Sequence, residues 1–191
     1  MVRTFIALVI PQEWKDYLGR VESDLSEKMV GLSWVKPENM HITVRFLGDL
    51  GDSGVKRAGE AVRLGAAGFT DFQAWMGPLG AFPSIRRPRI LWTGLSDGAE
   101  DAIALAKSVN RSLQSAGFGP ADKPFKPHIT LARVREREEG VEAFSRYVPP
   151  EPPGPALFDR LVVMKSDLHP AGARYTALEE IRLRTPGVTQ P

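Results

Sequence analysis

The stretch His41-Ile42-Thr43-Val44 decides the fold, because it recurs further along the chain as His128-Ile129-Thr130-Leu131. Each copy alternates polar residues with β-branched or aliphatic ones, a pattern typical of a strand with one buried face. In each strand the His and the Thr share one face, and the apolar residues share the other. We therefore expect two matching strands that each display an imidazole and a hydroxyl above an apolar anchor.

Similar elements precede the two copies. A predicted strand at Phe5 lies 36 residues before His41, and a predicted strand at Ile90 lies 38 residues before His128. An amphipathic helical pattern follows each of these early strands. This spacing is too long for a solenoid repeat and suits a duplicated half-domain. We predict one domain made of two lobes, approximately residues 1–88 and 89–191, between which strands can be exchanged.

The rest of the chain predicts further elements. The first helix begins at Pro11 and is expected to end near Gly31, and the first histidine strand is expected to end at Gly48. Turn residues and apolar periodicity then indicate a helix at 55–66, a strand at 72–82, a basic loop at 83–89, a helix at 97–117, a helix at 136–147, and strands at 157–166 and 175–184.

The composition excludes several classes of protein. The chain has 191 residues, 42% of them hydrophobic, and no cysteine, which excludes disulfides, zinc-thiolate sites and iron–sulfur clusters. Its formal charge of +2 does not indicate a long nucleic-acid groove. The apolar run from Phe5 to Ile10 is too short to span a membrane. We expect a monomeric cytoplasmic protein without a membrane segment.

The paired histidines indicate acid–base chemistry on a phosphate. Two imidazoles that meet across a cleft can act as acid and base together, because histidine has an unperturbed pKa of about 6.5. A Thr hydroxyl beside each imidazole can donate to a phosphoryl oxygen. Zinc binding is the competing interpretation, but Asp49 and Glu136 lie beyond the two strands and His169 precedes a predicted turn. We therefore predict no metal and no cofactor.

Several arginines are candidates for binding the phosphate. Strand alternation places Arg45 on the face of His41, whereas it places Arg133 on the face opposite His128 unless the strand bends or ends. Arg87 lies with Arg86 and Arg89 in the predicted basic loop, which is either a solvated loop or a contact for an RNA backbone.

Five aromatic residues could stack on a base at a single-stranded RNA end, and the sequence does not distinguish among them. They are Trp34, Trp75, Phe82, Trp92 and Tyr175.

These motifs resemble the two-histidine (2H) phosphoesterase superfamily, and specifically the RNA 2′,3′-cyclic phosphodiesterases, also called 2′-5′ RNA ligase-like proteins. The resemblance covers nearly the whole chain. Besides the two His-x-Thr-x motifs, it includes the segments 3–8, 34–35, 37–40, 46–48, 80–83, 87–92, 127–133, 166–168, Gly172 and Tyr175. It implies an α+β fold with two lobes, each an antiparallel sheet with helices outside, whose histidine strands face each other across a central cleft.

The resemblance also implies the activity and the roles of the site residues. It implies metal-independent hydrolysis of a 2′,3′-cyclic phosphate at an RNA end to a 2′-phosphate. His128 takes a proton from the attacking water, His41 gives a proton to the leaving 3′ oxygen, and Thr43 and Thr130 hold phosphoryl oxygens. The family's arginine five residues after the second histidine corresponds to Arg133, and a bulge would bring it to the histidine face.

Three alternatives stay open at this point. The same acid, base and phosphate cradle would serve 2′-5′ ligation of RNA ends or hydrolysis of a small cyclic nucleotide. The same cleft could also belong to a noncatalytic module that binds RNA ends, which would leave the substrate unchanged. Paired acid–base catalysis predicts a bell-shaped pH–rate profile with two apparent pKa values on either side of neutrality.

Overall fold

The computed structural model describes residues 1–139, 141–169 and 172–185. The strands of this part of the chain are β1 (Val2–Val9), β2 (Val30–Trp34), β3 (His41–Leu50), β4 (Phe72–Ala74), β5 (Met76–Ser84), β6 (Arg87–Leu95), β7 (His128–Glu139), β8 (Ala156–Phe158), β9 (Arg160–His169) and β10 (Gly172–Arg182). The helices are α1 (Gln12–Ser26), α2 (Asp52–Ala66), α3 (Ala99–Ser115) and α4 (Val141–Arg146). The predicted α+β class is confirmed.

The main sheet consists of two antiparallel halves that meet at the histidine strands. One half has the order β10-β9-β1-β3, and the other continues as β7-β6-β5, with β2 also paired to β7. A single residue pair, Ile42 with Ile129, joins β3 to β7. The two predicted antiparallel sheets are thus continuous at one point, and β4 and β8 form a separate small sheet.

Strands from both ends of the sequence contribute to each half of the sheet. The late strands β9 and β10 extend the half that contains β1, whereas the early strand β2 pairs with β7. This pairing crosses the predicted boundary between residues 88 and 89. The division of the single domain into two duplicated lobes stays a prediction.

The helices α2 and α3 pack on the face of the sheet opposite the histidines. Val62 and Val109 from these helices share one apolar core with Ile42 and Ile129. The two helices approach each other closely at Gly65, where an added Cβ would lie 2.7 Å from the Cα of Val109. The apolar side of each histidine strand is therefore anchored, and its polar side stays available.

Four predicted boundaries are wrong. The segment 83–89 is not a loop, because β5 and β6 form a hairpin in which Ser84 pairs with Arg87. The segment 136–147 is not one helix, because β7 continues to Glu139 and α4 begins at Val141. Gly48 does not end the first histidine strand; it adopts a positive φ of 73° inside β3, which a glycine tolerates without strain.

Helix α1 ends at Ser26 instead of near Gly31, because the chain enters β2 at Val30 and pairs with β7.

Candidate active site

The pair Ile42–Ile129 sets the geometry of the site. Both isoleucines are fully buried, and residues that pair directly in an antiparallel ladder project to the same face. Their neighbours His41, Thr43 and His128, and also Thr130, consequently project together to the opposite face. Directly opposed side chains in such a ladder have Cβ atoms about 4.5–5.5 Å apart, and diagonal neighbours about 7–8 Å. The strand pairing therefore brings the four predicted catalytic side chains to one patch.

Both imidazoles are oriented in the same way. The Nδ1 of His41 donates to the carbonyl of Asn39 at 2.7 Å, and the Nδ1 of His128 donates to the carbonyl of Lys126 at 2.7 Å. In the neutral tautomer these bonds leave each Nε2 without a proton. The hydroxyl of Thr43 donates to the Nε2 of His41 at 2.9 Å. Each histidine thus presents its Nε2 as a group that can accept or return a proton.

Aromatic rings enclose each imidazole. His41 packs against Phe5, at 4.9 Å between ring centroids, and against Tyr175, at 5.2 Å, and these two rings also contact each other. His128 lies 5.2 Å from Phe82 and 6.2 Å from Trp92. These apolar surroundings remove water from the rings and so disfavour the charged form of each imidazole.

Burial lowers the pKa of His41 to about 4, and the positive charge of Arg133 acts in the same direction. Burial also lowers the pKa of His128, and the charges of Arg133 and Lys126 add to this effect. Both histidines are consequently neutral in the free protein at pH 7. The charge of Arg133 acts on both rings, so its guanidinium lies within electrostatic range of both histidines.

A bulge in β7 brings Arg133 to the histidine face. Trp92 pairs with Thr130, and Ile90 pairs with Arg133. Ile90 and Trp92 are two residues apart on a regular strand, so their side chains project to the same face. Their partners Arg133 and Thr130 therefore also share that face, although they are three residues apart on β7. The extra residue between them reverses the alternation after Thr130, and so the predicted conflict between strand alternation and resemblance is resolved by a bulge.

A matching bulge in β3 takes Arg45 away from the site, and the prediction that it shares the face of His41 is wrong. Thr43 pairs with Ala7 and Arg45 pairs with Ile6, so the two residues project to opposite faces. The Arg45 side chain is buried, and one guanidinium nitrogen donates to the carbonyls of residues 118–120 at 2.7–3.1 Å. Arg45 therefore holds the loop after α3 and does not face the phosphate site.

Arg87 lies at the first position of β6, where it pairs with Ser84. A register shift between Phe82 and Pro83 on β5 brings Arg87 to the same face as Phe82, at the tip of the hairpin. Its side chain is exposed, as are those of Arg86 and Arg89. Arg87 thus lies on the same face of the sheet as the histidines, but nearer the tip of the hairpin than the pair formed by Ile90 and Arg133. Its contact with substrate stays a prediction.

Three of the five aromatic candidates contact the histidines: Phe82, Trp92 and Tyr175. Trp34 instead lies in β2 opposite Ala132. Trp75 lies between β4 and β5 and is 40% exposed.

Sequence reasoning missed two groups that shape the site. Lys126 places its ammonium 4.6 Å from the centre of the Trp92 ring and provides the carbonyl that orients His128. Asn39 provides the corresponding carbonyl for His41. An alignment of the two motif copies could have found both residues, because each lies two positions before its histidine.

Metal-binding clusters and membrane-spanning helices are both absent from the described residues. No group of three His, Cys, Asp or Glu side chains there is arranged to hold a metal ion. No helix in the described ranges is long and apolar enough to cross a membrane. The predicted absence of a metal, the cytoplasmic location and the monomeric state stay predictions.

Comparison with known proteins identifies the family of this chain. A family model described as "LigT like Phosphoesterase" matches residues 8–92 and 94–175. Proteins named RNA 2′,3′-cyclic phosphodiesterase from Methanothermobacter thermautotrophicus and Archaeoglobus fulgidus are 30% and 32% identical, over 95% and 93% of this chain and 99% and 98% of theirs. The predicted resemblance and the prediction of a hydrolase that acts on phosphodiester bonds are confirmed.

Solved structures share the fold. The crystal structure of TT0787 of Thermus thermophilus has a TM-score of 0.76 at 26% identity and covers 96% of this chain and 99% of its own. The apo structure of E. coli LigT has a TM-score of 0.74 at 22% identity and covers 96% of this chain and 98% of its own. On the match of the family model and of the curated relatives, this chain belongs to the LigT-like phosphoesterase family.

Proposed function

We propose that this protein hydrolyses 2′,3′-cyclic phosphates at RNA ends to 2′-phosphates without a metal ion. The observation that carries the proposal is the pair of histidines whose Nε2 atoms share one face with two threonines and Arg133. The names of the relatives support the substrate class, since they are called RNA 2′,3′-cyclic phosphodiesterases and match nearly the whole chain.

The reaction needs one base and one acid on opposite sides of phosphorus. His128 accepts a proton from water as the water oxygen attacks phosphorus. The bond from phosphorus to the 3′ oxygen breaks, and protonated His41 gives its proton to that oxygen. The products are a 2′-phosphate and a 3′-hydroxyl, and proton exchange with solvent restores both imidazoles. Each proton transfer contributes about 10²–10⁴-fold to the rate.

Charge that develops on the phosphoryl oxygens is stabilised by fixed donors. The hydroxyls of Thr43 and Thr130 lie beside the imidazoles, and the guanidinium of Arg133 supplies two parallel donors and a permanent positive charge. When His41 is protonated, its Nε2 no longer accepts a hydrogen bond from the hydroxyl of Thr43. That hydroxyl can then donate to a bound phosphate oxygen. The Thr43 hydroxyl thereby couples the protonation of His41 to phosphate binding.

The acid role of His41 requires the substrate. In the free protein burial keeps His41 neutral at pH 7, since its pKa is about 4. A phosphodiester anion beside the ring stabilises the imidazolium and raises this pKa. The proton donor therefore becomes available when the negatively charged substrate binds.

The direct test is incubation of an RNA oligonucleotide that ends in a 2′,3′-cyclic phosphate with the protein in excess EDTA. Chromatography against 2′- and 3′-phosphate standards identifies the product. We expect conversion to the 2′-phosphate; unchanged RNA, or formation of the 3′-phosphate, contradicts the proposal. A His169→Ala variant is the matched control, because this third histidine is an exposed residue at the end of β9.

A second experiment separates the roles of the two histidines. An aryl phosphodiester with a 4-nitrophenolate leaving group needs little protonation of that group. We expect His41→Ala to lose much less activity on this diester than on cyclic phosphate RNA, whereas His128→Ala loses activity on both. The reverse pattern would assign the acid role to His128.

A further inference from the structure

A cavity of about 450 Å³ adjoins the site on the His41 side and has no part in the mechanism above. One wall is the segment before β3, with Lys36, Glu38 and Asn39, and the other is the start of β10, Gly172–Thr176. We name it the Lys36–Arg174 pocket. Its volume falls within the range of about 300–1,000 Å³ that is typical of small-molecule sites.

Two residues connect this pocket to the imidazole of His41. The carbonyl of Asn39 accepts from the Nδ1 of His41 at 2.7 Å, and the side-chain amide of Asn39 donates to the carbonyl of Ala173 at 2.7 Å. Tyr175 lines the pocket and packs edge-on against His41 at 5.2 Å. Asn39 and Tyr175 therefore place the pocket directly beside His41.

The pocket attracts anions. Lys36 and Arg174 are exposed cations in its lining, and Glu38 is the carboxylate in the same lining. Lys15 adds a further positive charge, because its ammonium donates to the Glu38 carbonyl at 3.3 Å. Among the lining residues alone, two cations against one carboxylate leave a net positive charge, which favours a phosphate over a neutral or cationic group.

The in-line geometry of the proposed reaction indicates which phosphate of the RNA would reach this pocket. In an in-line displacement the leaving 3′ oxygen lies opposite the attacking water, so the ribose of the terminal nucleotide lies on the side of the proton donor. Under the proposed function that donor is His41. The 5′ oxygen of the same ribose carries the next phosphodiester of the RNA chain, which extends away from the reacting phosphorus on this side.

We propose that the Lys36–Arg174 pocket binds the penultimate nucleotide of the RNA, with Lys36 and Arg174 contacting the phosphodiester that precedes the terminal ribose. This inference rests on the proposed function and extends it: the preferred substrate is an oligonucleotide end, not a free nucleoside 2′,3′-cyclic phosphate. The pocket contributes to binding of the chain and not to the chemical step.

A double variant, Lys36→Ala with Arg174→Ala, tests the pocket. The substrates are a dinucleotide and a nucleoside, each ending in a 2′,3′-cyclic phosphate and lacking a 5′-phosphate. We expect KM for the dinucleotide to rise about five- to tenfold with kcat unchanged, because both cationic side chains that contact its internal phosphodiester are lost. Both constants for the nucleoside should stay the same, since it has no second phosphate.

A cavity on the helix side of the sheet provides the matched control. It is lined by Lys107 and Arg111 of α3, and it shares no lining residue with the Lys36–Arg174 pocket. A Lys107→Ala, Arg111→Ala double variant removes the same charge and should alter neither substrate. An equal loss on dinucleotide and nucleoside in the Lys36→Ala, Arg174→Ala variant, or no loss on either, overturns the inference.

A binding measurement keeps this inference separate from the proposed function. Affinities are measured for a dinucleotide and a nucleoside that each end in a 2′-phosphate, across a range of salt concentrations. We expect tighter binding of the dinucleotide by the wild type, and a salt slope that the double variant reduces by about 0.7 for one lost phosphate contact. If the wild type binds but hydrolyses nothing, the proposed function fails, whereas equal affinities for both ligands refute the pocket.

Discussion

The two histidine strands share a scaffold and differ in the residue five positions after the histidine. Each histidine donates to the carbonyl two residues before it, and each strand bulges after its threonine. Five residues after the histidine, the first strand carries Phe46 and the second carries Arg133. Phe46 pairs with Phe5 on the histidine face and is 57% exposed. The two motif copies thus each supply an imidazole, and only the second copy also supplies a cation at this position.

This difference indicates how a symmetric scaffold performs an asymmetric reaction. An attacking water and a leaving oxygen need different protonation states, while the phosphate between them carries a single negative charge. One guanidinium that acts on both rings meets that requirement, and a second one would lower both histidine pKa values further. The exposed ring of Phe46 leaves the other side apolar, which suits a sugar or a base.

The largest effect is expected from removal of either imidazole. His41→Ala and His128→Ala should each lower kcat on cyclic phosphate RNA by about 10²–10⁴-fold, because each loses one proton transfer. The double variant should be scarcely worse than the more severe single variant, since the two groups act as a unit. Steady-state kinetics measure this, with circular dichroism to show retained folding, and additive losses would mean that the halves work independently.

The next effect compares the two positions that differ. Arg133→Ala should lower kcat by about 10²–10³-fold, the usual cost of a lost donor to a developing oxyanion. Phe46→Ala, at the equivalent place, should change kcat by less than about tenfold because that ring meets no developing charge. Arg133→Lys separates charge from geometry and should restore only part of the activity. A similar loss in Phe46→Ala and Arg133→Ala would remove the distinction between the halves.

A stability measurement tests whether the bulge in β3 gives Arg45 a structural role. Arg45→Ala should lower the free energy of unfolding by about 1–3 kcal/mol, because it leaves the carbonyls at 118–120 without their donor. Denaturant titration measures this loss, with the exposed Arg182→Ala of β10 as the control. Arg45→Ala should keep its kcat under conditions in which it is folded. A specific loss of kcat with normal stability would return Arg45 to the site.

The smallest effect concerns pH. The folded-state pKa of His41, about 4, lies below the unfolded value of about 6.5. Between these values the unfolded chain binds a proton that the folded protein does not, so the free energy of unfolding should fall as pH drops from about 6.5 to about 4. Above about pH 6.5 His41 contributes no such dependence. His41→Ala should flatten this slope.

The same pKa directions refine the predicted rate profile. Because kcat/KM reports the free enzyme, and burial lowers the pKa of both histidines, its maximum should lie below about pH 6.5. The profile of kcat should reach its maximum at higher pH, since bound phosphate raises the pKa of His41. Coincident profiles for the two constants would mean that the substrate does not alter the acid.

The residues of the two motifs were enough to predict the histidine strands and the threonines beside them, whereas the α+β class was implied by the resemblance to a known family. The alternation of polar and apolar residues along a short strand can be read from that strand alone. It determines which face is buried, because a shift of one residue would move the apolar side chains out of the core. Comparison of the two motif copies also predicted the common orientation of the four catalytic side chains.

Which arginine reaches the phosphate depends instead on how the strands pair in the folded protein. Arg45 and Arg133 are four and five residues after their histidines, and a bulge after each threonine sends the first to the core side and the second to the site. A bulge depends on the register of the neighbouring strand, for which the strand's own residues carry no signal. Likewise, Tyr175 reaches His41 only because β9 and β10 extend the sheet beside β1.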